Sequence, residues 1–184
     1  LGYWNQTFHH GDFLQTTIER PDIYRFQRDT TGNGGILPVN NVGITLSGLL
    51  PNEVADLKYA FGVYNGRMKN RSFNQGVGDD NDFKGVNNLL GVVPRGLVPV
   101  LEFGVDVYVD RIPPNADLIG AGTARAESID ELILGGYSVY EHKGFELLGE
   151  FFWINHDDNT SERTFKTVGG YVQTSYQLGK VTTP

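Results

Sequence analysis

Leu101-Glu102-Phe103-Gly104-Val105-Asp106-Val107-Tyr108-Val109-Asp110 alternates without a break. Leu101, Phe103, Val105, Val107 and Val109 fall on one side, and Glu102, Gly104, Asp106, Tyr108 and Asp110 on the other. Successive side chains of a strand point to opposite faces, so this period of two predicts a β-strand with one apolar and one polar face. The segment is longer than the ~5 to 6 residues usual in soluble sheets and fits the ~9 to 11 of a tilted strand crossing a bilayer.

The same pattern spreads in both directions. Pro94-Arg95-Gly96 turns this strand back onto Lys84 to Val93. Upstream, Val42, Ile44 and Leu46 alternate with Gly43, Thr45 and Ser47, and Leu57, Tyr59, Phe61 and Val63 alternate with Lys58, Ala60, Gly62 and Tyr64. Those two segments predict a hairpin across Pro51 to Asp56. Downstream, Ser128 to Glu141 and Phe145 to His156 pair across His142-Lys143-Gly144, read as a three-residue loop with its glycine in the left-handed position. Leu148, Phe152 and Ile154 blur the polar face there. Thr164 to Leu178 supplies a last strand and Leu1 to Phe8 a first, making eight.

Connection lengths alternate: long at 9–41, 66–83 and 111–127, short at 51–56, 94–96 and 142–144, and longer again at 157–163. Long strands in up-and-down order with one tight rim and one looped rim predict an all-β, antiparallel transmembrane β-barrel. Residues 1–184 read as a single barrel domain or contiguous barrel segment, with 9–41 as a long insertion able to narrow a pore. An eight-stranded barrel is filled by its own side chains, and a loop as long as 9–41 needs a wider lumen, so the chain reads as part of a larger barrel.

Composition is consistent with this and removes alternatives. The 24 glycines in 184 residues exceed the usual share of roughly 7% and suit strands that coil and bend. No apolar run reaches the ~18 to 20 residues of a spanning helix. Without cysteine there is no disulfide framework and no thiolate site. A net charge of -7 disfavours nucleic acid as a partner, because phosphate binding requires a basic face. The chain opens Leu1-Gly2-Tyr3-Trp4-Asn5, without initiator Met or signal-peptide pattern, and reads as a mature or truncated sequence.

Arg20-Pro21-Asp22-Ile23-Tyr24-Arg25-Phe26, Gly34-Gly35-Ile36-Leu37-Pro38-Val39, Val42-Gly43-Ile44 to Leu46-Ser47-Gly48 and Asn65-Gly66 resemble Gram-negative outer-membrane porin-like proteins of the phosphate-selective porin O and P type and its relatives. As motif the likeness rests on residues 1–66; as architecture it covers most of the chain. It implies a barrel in the bacterial outer membrane, in contact with lipid and lipopolysaccharide, assembled as a homotrimer and passing small hydrophilic solutes or ions. The ending Leu178-Gly179-Lys180-Val181-Thr182-Thr183-Pro184 departs from the aromatic terminal residue usual for such barrels.

In a barrel the polar face lines the lumen. The expected pore-lining residues are Lys58, Tyr64, Glu102, Asp106, Tyr108, Glu146 and Glu150. Their excess of acids over Lys58 makes a cation-tolerant wall, at odds with phosphate selectivity. Arg20, Arg25 and Arg28 in the 9–41 loop are candidates for an anion-attracting constriction, although Glu19, Asp22 and Asp29 sit among them and a self-compensated solvated loop is the competing reading.

Catalysis finds little support, and no cofactor or metal is expected. Glu146 and Glu150 on one strand stand about 13 Å apart at ~3.3 Å per residue. Glycoside hydrolysis needs ~5 to 9.5 Å. His9-His10 with Asp12 falls short of a ligand set. In Asp79-Asp80-Asn81-Asp82, an EF-hand register begun at Asp80 puts Lys84 at a ligand position and Gly91 where the last Glu belongs. Gly32-Asn33-Gly34-Gly35 follows no strand-to-helix pattern and is no phosphate cradle. Two other functions remain open: a soluble all-β carbohydrate- or ligand-binding domain with the aromatics as core, and a small outer-membrane barrel enzyme or adhesin.

Overall fold

The computed structural model describes residues 40–41, 43–66, 75–76, 82–96, 100–114 and 127–176. Nine strands are present among them: β1 (Asn40–Asn41), β2 (Gly43–Leu50), β3 (Ala55–Tyr64), β4 (Gln75–Gly76), β5 (Gly85–Pro94), β6 (Val100–Ile112), β7 (Ile129–His142), β8 (Phe145–Asp158) and β9 (Arg163–Tyr176). Seven of them form one sheet in the order β2-β3-β5-β6-β7-β8-β9, and every pairing in it is antiparallel. Each strand of this sheet lies beside its predecessor in the chain, which is the up-and-down order expected from the connection lengths. β1 and β4 make a separate two-residue parallel pair, Asn40 with Gln75 and Asn41 with Gly76, which alternation does not foreshadow.

Among the described residues the sheet is not closed into a barrel, with β2 and β9 as its edges, so the expected barrel is present as an open up-and-down sheet. The count is therefore seven long strands where eight were expected; the expected first strand at Leu1 to Phe8 lies outside the described residues. Strand lengths grow along the chain, from 8 residues in β2 to 14 in β7, β8 and β9. β6 to β9 thus exceed the usual soluble strand more than twofold.

Strand ends differ from the sequence reading in several places, with β3 starting at Ala55 and β5 including Pro94. The β7–β8 turn has two central residues, Lys143 and Gly144, both left-handed at φ 49 and 82. Two consecutive positive φ values define the mirror-image turn whose twist matches paired strands, so His142 joins the ladder opposite Phe145 instead of entering the loop. The last connection is also tighter than expected, since β8 continues to Asp158 and β9 starts at Arg163. Asp158 accepts the Thr160 N–H at 3.1 Å and the Ser161 hydroxyl at 2.8 Å, stabilising the turn as an Asx-type cap.

The tight-turn rim is further tied across strands. Arg95 N donates to the Val54 carbonyl at 2.9 Å, and the Arg95 guanidinium meets Asp56 at 2.6 Å, so the β2–β3 and β5–β6 turns are joined.

Candidate functional site

The two faces of the sheet differ: one exposes apolar side chains, and the other buries acidic and apolar side chains together. Val105 is 57% exposed, and its neighbour Asp106 is 3% exposed. The face that carries Val105 also carries Ile44, Phe61, Leu90, Phe103, Phe151 and Val172, all exposed. The opposite face carries Asn87, Glu102, Asp106, Asp110, Glu131 and Glu150, all buried. Burying ionisable groups costs free energy unless they find partners, so this face requires an internal polar network.

Register builds that network in two tiers. Toward the tight-turn rim, Glu102 accepts from the Lys58 ammonium and, at 2.8 Å, from the Tyr137 hydroxyl. Tyr137 lies directly opposite Gly104 on one side and Glu150 on the other, and Glu150 accepts from Tyr171 at 2.7 Å. One phenol thus stands among Glu102, Asp106 and Glu150 and is electrostatically coupled to all three. Glycine makes the space. A Cβ at Gly104 would come within 2.5 Å of the Tyr137 ring, and one at Gly91 within 2.4 Å of its hydroxyl.

Toward the looped rim, Tyr108 donates to Asp110 at 2.6 Å, Thr45 and Tyr64 share a hydrogen bond of 2.6 Å, and His156 meets Glu131 at 2.7 Å. The buried face is not wholly polar. Leu89, Val139 and Leu148 pack beside Tyr137 and Ala60, and Ile133, Phe152 and Ile154 are fully buried. The apolar residues that blur the β8 alternation therefore lie on the same side as Glu150.

All seven expected pore-lining residues, Lys58, Tyr64, Glu102, Asp106, Tyr108, Glu146 and Glu150, fall on this single face by strand register. Lys58, Glu102, Asp106 and Glu150 gather around Tyr137, whereas Tyr64 and Tyr108 belong to the looped-rim tier and Glu146 stands opposite Glu141 at the tight-turn rim. Arg20, Arg25 and Arg28 lie outside the described residues, as do His9, His10 and Asp12. Sequence reasoning missed the central role of Tyr137, and also Tyr171 and the Glu131–His156 pair. Gly135, two positions before Tyr137 on the same face, was the available signal, because a glycine beside an aromatic ring in a strand marks a place where that face must admit bulk from neighbouring strands.

Among the described residues no group of His, Asp and Glu is arranged to hold a metal ion. Among the described residues no helix is long and apolar enough to cross a membrane, which says nothing of strand-built membrane proteins. Comparisons with protein-family models, curated proteins and solved structures give no match to this chain.

Proposed function

We infer that this chain is a wall segment of an outer-membrane porin, its exposed apolar face against lipid and its buried polar face toward a channel for small hydrophilic solutes or ions. The carrying observation is an exposed apolar face across a seven-stranded up-and-down sheet whose other face buries a row of acids. A transmembrane barrel wall has this polarity because its outer side is solvated by hydrocarbon and its inner side by water or polar side chains.

The outer face has further features of a bilayer wall. On β6 the apolar positions run from Leu101 to Val109, about 26 Å of strand at ~3.3 Å per residue, on the scale of the ~25 Å apolar band of such barrels. Charged groups flank the band at the looped rim: Arg111 pairs with Asp130 at 2.6 Å, and Asp157 and Lys166 lie nearby in register. At the other rim, Tyr140 and Phe145 rings are 6.4 Å apart, and Phe145 is paired with Tyr176. This outward aromatic cluster matches an interfacial girdle.

The test uses Trp153, which faces outward from β8. In a Trp4→Phe background the protein is refolded into vesicles of ordinary or chain-brominated lipid. Strong quenching of Trp153 by brominated chains is expected. Unquenched fluorescence, with a folded spectrum in detergent-free buffer, would replace the porin reading with the soluble ligand-binding one.

A further inference from the structure

We propose that the outward face of β5, centred on Asn88, is where a second copy of this chain docks, the Asn88 carboxamides of the two copies bonding to one another inside the membrane. The proposal rests on the porin reading and deepens it by naming a partner of the lipid-facing side and the strand that meets it.

Strand register draws a row of outward side chains across all seven strands, from Leu46 on β2 through Phe61, Asn88 and Val107 to Val168 on β9. Every other member of that row is apolar. The two rows beneath it, which pair Leu90 with Val105 and Val92 with Phe103, carry no carboxamide. Asn88 is exposed, and among the described residues no side chain bonds its carboxamide. The other outward carboxamide of the sheet, Asn155, is placed differently: it stands one row nearer the looped rim, opposite Lys166, and donates to Asp157 at 3.0 Å. Asn88 is therefore a polar group set within the apolar band, between exposed Phe61 and the β6 valines.

A carboxamide has two N–H donors and an acceptor oxygen, and hydrocarbon offers a partner to none of them. Another polypeptide supplies one. A second copy fits best, because copies inserted the same way sit at the same depth. Rotation about an axis along the membrane normal then brings Asn88 level with Asn88, and a group that both donates and accepts is its own complement. A different protein would need a polar group of its own at that level. Phe61, Leu90 and Val105, all exposed, surround the contact with apolar surface. Docking through the face also leaves the edges of β2 and β9 free to pair with further strands of the wall.

The chain has no cysteine, so single cysteines report contacts without background. The full chain carrying Asn88→Cys, or Val168→Cys from the β9 end of the same row, is inserted into vesicles and oxidised with copper phenanthroline. Asn88→Cys is expected to give a disulfide-linked dimer on non-reducing gels and Val168→Cys to stay monomeric. In a second measurement, energy transfer between donor- and acceptor-labelled copies is followed as lipid is added. Asn88→Leu should weaken self-association roughly tenfold, the scale of a polar contact between membrane segments. Asn88→Gln should keep most of it. Quenching of Trp153 by brominated chains shows that each variant is inserted. Inserted protein that forms no dimer through Asn88→Cys, or that self-associates equally with asparagine and leucine at position 88, overturns the docking surface and leaves the porin reading intact. Native protein whose Trp153 is not quenched overturns both.

Discussion

Asp106 and Gly135 face each other across β6 and β7, and the carboxylate occupies the space that a Cβ on Gly135 would fill, 2.2 Å from Oδ2. The pair shows why glycine is placed at that point of a long strand. An acid held against a neighbouring strand needs a partner position without a side chain.

Gly135→Ala is therefore expected to destabilise the protein by about 1 to 3 kcal/mol, the usual cost of overpacking a filled site. Gly136→Ala is the matched control, because a Cβ there meets nothing closer than the Gly104 carbonyl oxygen at 3.8 Å. Urea titration of the refolded proteins, followed by tryptophan fluorescence, should show a lower midpoint for Gly135→Ala and little change for Gly136→Ala.

Tyr137→Phe removes the hydroxyl that donates to Glu102 at 2.8 Å and leaves the ring over Gly104. The expected loss is about 1 to 3 kcal/mol, the cost of leaving a buried charged acceptor short of a donor. Combining it with Glu102→Gln should give a total smaller than the sum of the single effects, since the two groups act through one bond. A double-mutant cycle measured by urea titration checks this.

The outer face yields a prediction that depends on the solvent. Val105→Arg places a charge in the middle of the apolar band, where in lipid it should cost about 2 to 4 kcal/mol. In a soluble sheet an exposed substitution of this kind stays within about 0.5 kcal/mol. Folding yield and urea midpoint in vesicles separate the two outcomes.

At the tight-turn rim, Lys143 has φ 49, a conformation that asparagine or glycine adopts at lower cost. Lys143→Asn should raise stability by several tenths of a kcal/mol, and Gly144→Val, at φ 82, should lower it by more than about 1 kcal/mol. Thermal unfolding in detergent, followed by the loss of β-sheet circular dichroism, reads both changes.

Period-two alternation was sufficient to determine which residues share a face, because side-chain direction in a strand is set by parity alone. Leu101 to Asp110 shows this best: every residue there lies on the expected side. Up-and-down order was also legible, from short connections that leave antiparallel pairing between neighbours as the available route. Parity does not specify which residues meet across strands. The Tyr137 to Glu102 bond, the Asp106 to Gly135 pairing and the Glu131 to His156 contact all join residues at least 25 positions apart, and each depends on register along several strands. The turn at Lys143-Gly144 was misread by one residue because composition cannot distinguish a bulged loop from a two-residue turn until backbone twist selects one. Tertiary structure also decided which face is shielded. Alternation separates polar from apolar residues, but only the packed sheet shows that the acids are enclosed and the valines and phenylalanines lie outside.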